Sequence, residues 1–189
     1  MKTKTLVLSA LMAALTCVAT MIIKIPTPTF GYIHPGDGFV LLSGILLGPF
    51  YGALAAGIGS MFADIFSGYA SWAPATFIIK ALCAALIGLI YRKFAVGTAI
   101  SMKRKYLIVL FGGILGEAVM VLGYFLYETG LAAFAGGTFS AAALASGLAV
   151  SLLSIPFNTA QGIIGIVISL LLFPIIIRID PLRSNQVRN

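Results

Sequence analysis

The chain is 189 residues long, 60% hydrophobic and 9% charged, with a mean hydropathy of +1.10 and a formal net charge of +7. A soluble domain carries about 25% charged residues, so this composition excludes a water-soluble protein and defines an integral membrane protein. The length fits a single transmembrane domain over residues 1–189, with no room for a separate soluble unit. The positive charge does not signal nucleic acid, because the basic residues fall in short clusters between apolar segments, as cytoplasmic membrane flanks do.

About twenty apolar residues cross a bilayer as a helix. The first such run, 5–25, is long for a signal-peptide core and lacks a small-x-small cleavage site, so it is expected to be a retained helix. It stops at Lys24 and the helix-breaking run Ile25-Pro26-Thr27-Pro28, and a loop follows to about Pro35. The next apolar block, 37–68, is too long for one span and is interrupted at Gly48-Pro49. Proline suits the first turn of a helix, so the block is divided into a short helix over 37–47 and a second over 49–68. Pro74 opens a helix that runs to about Tyr91 and ends at Arg92-Lys93. A further helix covers about 106–127. The Gly-, Ala- and Thr-rich stretch 128–145 is expected to be a loop, in part helical, and a last long helix covers 147–177, with Pro156 and Pro174 as kink or end points.

The expected architecture is therefore an all-α integral membrane protein, a bundle of six transmembrane helices with N- and C-termini cytoplasmic. The charges fit that count. Lys2, Lys4, Arg92, Lys93, Lys103, Arg104, Lys105, Arg178, Arg183 and Arg188 fall on one side, and only Lys24 and Lys80 fall toward the other, beside Asp37 and Glu128. Five or seven spans would put a basic cluster outside. Gly44, Gly48, Gly52, Ala56, Gly57 and Gly59 read as a packing stripe, since small residues let helix backbones approach in lipid.

Ionisable groups in lipid are costly, about 2.5–3.5 kcal/mol each at a helix centre on insertion scales, so they are paired, solvated or functional. Asp37 reads as a helix-start carboxylate favoured by the local dipole. Asp64 and Lys80 both lie near the outer face, and either tie two helices together as an ion pair or touch a ligand. Glu117, near the middle of its helix, is the strongest ligand candidate. Asn158 and Gln161 share a helix face, and their amides supply both donors and acceptors for a neutral or zwitterionic heterocycle; the alternative is interhelical hydrogen bonding. Trp72 sits with Tyr69 at the outer boundary, as an aromatic belt or as a lid that stacks on a flat ligand. His34 is the single histidine and has no cysteine nearby, so no metal site is expected. Cys17 and Cys83 lie in apolar segments and read as small buried residues. The sequence holds no phosphate loop and no HExxH, GxSxG or CxxC motif. No cofactor is expected, and no inverted repeat with matching broken helices is evident.

The block from Gly36-Asp37 through Leu47-Gly48-Pro49-x-x-Gly52 to Ala63-Asp64-x-x-x-Gly68-Tyr69 and Pro74-x-Thr76-x-x-x-Lys80 resembles the substrate-binding S components of energy-coupling factor (ECF) vitamin transporters. The likeness is nearest the riboflavin-type and hydroxymethylpyrimidine-type branch. It extends over nearly the whole chain and is densest in residues 31–93. The resemblance implies a non-enzymatic, six-helix protein that binds a vitamin tightly at the outer side. Such proteins work with a transmembrane coupling protein and two cytoplasmic ATPases, in the plasma membrane of a prokaryote. It also implies that Ala10 and Ala14, in Ala10-Leu11-Met12-Ala13-Ala14, dock the coupling protein, and that an outer pocket draws on Glu117, Asn158, Gln161, Trp72, Lys80, Asp64, Tyr124 and His34. The implied ligand is a small heterocycle: hydroxymethylpyrimidine, a B6 vitamer or riboflavin, with pantothenate less favoured. Two other functions stay open on the residues alone. One is a self-contained proton-coupled carrier; the other is a small membrane enzyme using Asp64, Glu117 and His34.

Overall fold

A computed structural model describes residues 3–27, 31–95, 100–134 and 140–179. Lys2, Pro28, Arg183 and Arg188 lie outside the described residues. Helix α1 (Thr3–Ile22) leads into a two-residue antiparallel ladder, β1 (Ile25–Pro26) with β2 (Tyr32–Ile33), in which Ile25 faces Ile33 and Pro26 faces Tyr32. Then come α2 (Asp37–Phe66), α3 (Ala73–Ala95), α4 (Met102–Phe134), α5 (Ala141–Leu152) and α6 (Ile155–Ile179). Five of these, α1, α2, α3, α4 and α6, are long and apolar enough to cross a membrane.

Helix α2 is two arms. Gly48 takes φ 77° and ψ −175°, a region essentially open only to glycine, and Pro49 starts the second arm. A Cβ on Gly52 would stand 2.5 Å from the Ser43 carbonyl oxygen, whereas nine residues of straight helix would hold those positions about 13 Å apart. The chain therefore doubles back at Gly48, as the Gly48-Pro49 signal predicts. Contacts with α3 give the directions. Along the first arm Asp37 meets Lys80, Gly44 meets Ala84 and Gly48 meets Arg92; on the second arm Gly57 meets Phe77. The first arm runs parallel to α3 and the second antiparallel to it. The approach is close enough that a Cβ on Gly44 would lie 2.1 Å from the Ala84 carbonyl oxygen, which is how small residues bring helices together in lipid.

Two expectations are corrected. Residues 128–134 are not loop but the continuation of α4, and 141–152 form α5, whose N-cap Ser140 accepts the Ala143 N–H at 3.1 Å. In a bilayer the backbone must satisfy itself, and Thr129 turns its hydroxyl onto the Phe125 carbonyl at 2.8 Å, so the polar run stays helical. The long helix expected over 147–177 is broken between α5 and α6. There Ser154 bonds back to the Ser151 carbonyl at 2.8 Å, and Pro156 has no N–H with which to continue the helix.

The bundle has two unlike ends. Leu8, Leu46, Leu47, Tyr91, Tyr106 and Phe173 share one apolar cluster, and Arg92 Nη2 donates to the Leu47 carbonyl at 2.9 Å. Lys93, Lys103, Arg104, Lys105 and Arg178 flank helix ends on that side. The opposite end carries β1, β2 and the polar side chains of the candidate site.

Candidate functional site

The first arm of α2 begins at the level of Lys80, so Asp37 and not Asp64 becomes the lysine's partner. Lys80 Nζ donates to Asp37 Oδ1 at 2.5 Å, with the two residues 0% and 1% exposed. The expected Asp64–Lys80 tie is not formed, and Asp37 is more than a helix-start carboxylate. Gln161 Nε2 donates to Asp37 Oδ2 at 2.7 Å, and Gln161 Oε1 accepts the His34 N–H at 3.1 Å. The Gly36 N–H donates to His34 Nδ1 at 3.1 Å, which fixes the neutral tautomer with its proton on Nε2. One polar network thus joins α2, α3, α6 and the first loop.

Burial pushes the His34 imidazole down to about 4; nearby Asp37 opposes the shift and Lys80 adds to it. A free histidine titrates near about 6.5, so between these values the unfolded chain binds more protons than the folded one. Stability is then fully present above the free value and falls as the pH drops toward about 4. The melting temperature of the purified chain is expected to fall between pH 7 and pH 5, and His34→Gln to flatten the histidine part of that slope. An equally steep slope in the variant contradicts this role.

Above the network lies a narrow cleft with a cavity volume of about 30 Å³. Thr27, Gly31 and Tyr32 of the first loop, Asp64 of α2, Tyr69 and Trp72 of the turn before α3, Thr76 of α3, Tyr124 and Glu128 of α4 and Asn158 of α6 line it. Its walls are aromatic. The Tyr32 ring lies 4.8 Å from that of Tyr69, and Trp72 lies 5.4 Å from Tyr127 and 6.1 Å from Tyr124. The Tyr32 hydroxyl donates to Asp64 Oδ1 at 2.8 Å; burial, and next Asp64, raises its pKa, so it stays a donor. Tyr124 donates to Thr76 Oγ1 at 3.1 Å, and its ring stands 5.2 Å from Lys80 Nζ, which sets the ion pair behind the cleft wall.

Of the expected site residues, Asp64, Trp72, Tyr124 and Asn158 come together in the cleft. Lys80, Gln161 and His34 instead form the network beneath it. Glu117 adjoins that network rather than the cleft: it is buried close to Asp37 and Lys80 and packs on Gly162 of α6, beside a wide apolar groove between α4 and α6. Tyr32, Thr76 and Glu128 were missed as site residues. The signal for Glu128 is its i, i+4 spacing from Tyr124, which puts both on one face once α4 is carried past Tyr127. Among the described residues no group of histidine, cysteine and carboxylate side chains could hold a metal ion.

Comparison with known proteins supplies the class. The family model described as ECF-type riboflavin transporter, S component, matches residues 1–178. A structure described as that of the S component of a bacterial ECF transporter overlays 100% of this chain and 100% of its own, with a TM-score of 0.64 at 22% identity, a likeness of fold. A protein of Pyrococcus woesei, described as an uncharacterized protein in gap 3′ region, is 41% identical over 108 residues. That alignment takes in 57% of this chain and 66% of the relative. The class is a multi-pass membrane transport protein and not an enzyme. The chain belongs to the ECF-type riboflavin transporter S component family.

Proposed function

We propose that the chain is the high-affinity vitamin-binding subunit of an ATP-driven ECF importer in a prokaryotic plasma membrane. It captures a small water-soluble heterocycle at the outer side, riboflavin before hydroxymethylpyrimidine or a B6 vitamer. It delivers this ligand inward with a coupling protein and two cytoplasmic ATPases. The six passes are α1, the two arms of α2, α3, α4 and α6, and the basic end faces the cytoplasm. The observation that carries the reading is the aromatic cleft, lined also by hydroxyl, amide and carboxyl groups, at the opposite end from the basic clusters.

In this reading Trp72 and Tyr124 pack on the ring. Asn158, whose Nδ2 reaches Ser154 Oγ at 3.4 Å, and Asp64 hydrogen-bond its edge. Tyr32 brings the first loop over the top. The network of Asp37, Lys80, Gln161 and His34 holds the cleft floor and the loop in register. Ala10 and Ala14 are exposed on α1 beside Val7, Leu11 and Val18, a smooth face for a coupling-protein helix.

Native mass spectrometry of the chain purified from cells is expected to show one retained heterocycle in the riboflavin class. Asn158→Ala and Trp72→Ala are each expected to weaken binding about tenfold or more, about 1.4 kcal/mol. Uptake into liposomes by the chain alone, driven by a pH gradient without the ATPases, would overturn the proposal in favour of a self-contained carrier.

A further inference from the structure

Glu117 of α4 is 5% exposed and lies off the cleft, so its place in the fold needs another account. It packs where α6 lacks side chains. Its Oε2 stands 3.3 Å from the position a Cβ would take on Gly162, and Asp37 Cβ stands 2.7 Å from that on Gly165. These glycines share a face of α6, and there Glu117 comes within hydrogen-bonding reach of Asp37 and beside Lys80. The charges do not balance if all three groups are ionised. Lys80 is a single cation, and it is paired with Asp37. Asp37 also receives the Gln161 amide, whereas no N–H or O–H of the described residues donates to either oxygen of Glu117. The other groups around it bring no second cation. Cys83 of α3 is a thiol, Tyr124 of α4 gives its hydroxyl to Thr76, and His34 of the first loop is neutral. Helix α5 has no charged side chain, and α6 has none before Arg178 at its far end. On its remaining side Glu117 borders the groove between α4 and α6, a cavity of about 610 Å³ whose other lining residues are apolar apart from Thr159. Hydrocarbon outside such a groove supplies no donor.

We propose that Asp37 and Glu117 share one proton, held on Glu117, so that a Lys80–Asp37–Glu117 triad of zero net charge ties α4 to α2 and α3. Two adjoining carboxyl groups with one cation between them do not both ionise, and a net charge left in hydrocarbon is costly. Asp37 keeps the charge because Lys80 and Gln161 both donate to it. Glu117 keeps the proton, and its O–H becomes a further donor to the Asp37 carboxylate. Glu117 is thus a positioning residue that acts through Asp37. Tyr124 stands seven residues on along the same face of α4, so the same tie fixes that wall of the cleft.

The test is infrared spectroscopy of the purified full chain at pH 7, in water and in deuterium oxide, with no ligand required. Glutamate occurs only at positions 117 and 128. A Glu128→Gln chain made with glutamate isotope-labelled at its side-chain carboxyl therefore carries the label on Glu117 alone. The label is expected to move the carbonyl stretch of a protonated carboxyl, a band that also shifts in deuterium oxide. A label-sensitive carboxylate stretch in its place overturns the inference. Should Glu128→Gln not fold, the unsubstituted chain is compared with Glu117→Gln. Loss of a protonated carbonyl band in the variant supports the proposal, and loss of a carboxylate band overturns it. Unfolding of two further variants tests the bond to Asp37. Glu117→Gln keeps a donor and is expected to leave the unfolding constant within about threefold of the parent, whereas Glu117→Met removes the donor and is expected to raise it about tenfold or more. Equal effects of the two substitutions overturn the tie.

Discussion

Lys80→Met is expected to destabilise the folded chain by about 3–5 kcal/mol, because removing one partner of a buried ion pair strands the other charge. Asp37 would be left at 1% exposure with the Gln161 amide donating to it, the Glu117 carboxyl close by and no cation beside it. In thermal unfolding of the detergent-purified chain this corresponds to a drop of about 6–20 °C, taking about 2–4 °C per kcal/mol at this size. The double variant Asp37→Leu/Lys80→Met leaves no buried charge at the pair, and well-packed apolar replacements of such pairs are often neutral. It is therefore expected to recover most of the loss. A single variant as stable as the parent would show that Lys80 and Asp37 are not paired in the folded chain.

Gly48→Ala is expected to cost about 3 kcal/mol or more, from two sources that add. The first is backbone strain, since φ 77° with ψ −175° is a region where a side chain costs about 1–3 kcal/mol. The second is local: the new Cβ would stand 2.0 Å from the Arg92 guanidinium. Arg92 can swing away only by giving up the Leu47 carbonyl at 2.9 Å, a charged hydrogen bond worth about 1.5–3 kcal/mol. Gly68 separates the two terms, as its φ is 85° but nothing lies within 4 Å of the Cβ position. Gly68→Ala is expected to show the strain alone, and Arg92→Gln the bond alone. A Gly48→Ala loss no larger than that of Gly68→Ala would contradict the account of the turn.

The same turn explains what could and could not be read from the sequence. Gly48-Pro49 announced the reversal because only glycine takes that backbone and proline suits the helix that follows. Pro74 likewise marked the first turn of α3. What hydropathy could not give was the level at which each arm meets α3. Asp37 and Asp64 were both plausible partners for Lys80 until the hairpin put the start of the first arm beside it. The sequence reads 128–134 as part of a loop because a stretch rich in glycine, alanine and threonine usually means water. Here a neighbouring cleft and a backbone carbonyl absorb their polarity instead. Glu117 shows the converse limit. Its depth marked it as costly, but depth does not give azimuth, and its face meets Gly162 beside the apolar groove rather than the cleft. Tyr32 enters the site from a loop whose path no helical periodicity encodes.

The chain has one tryptophan, and Trp72 lines the cleft, so its emission reports directly on the central claim that a heterocyclic vitamin binds there. Titration of the purified chain with riboflavin is expected to quench Trp72 emission saturably, at one ligand per chain, with affinity lowered about tenfold by Asn158→Ala. Tight riboflavin binding that leaves Trp72 emission unchanged would place the ligand elsewhere in the bundle and contradict the account.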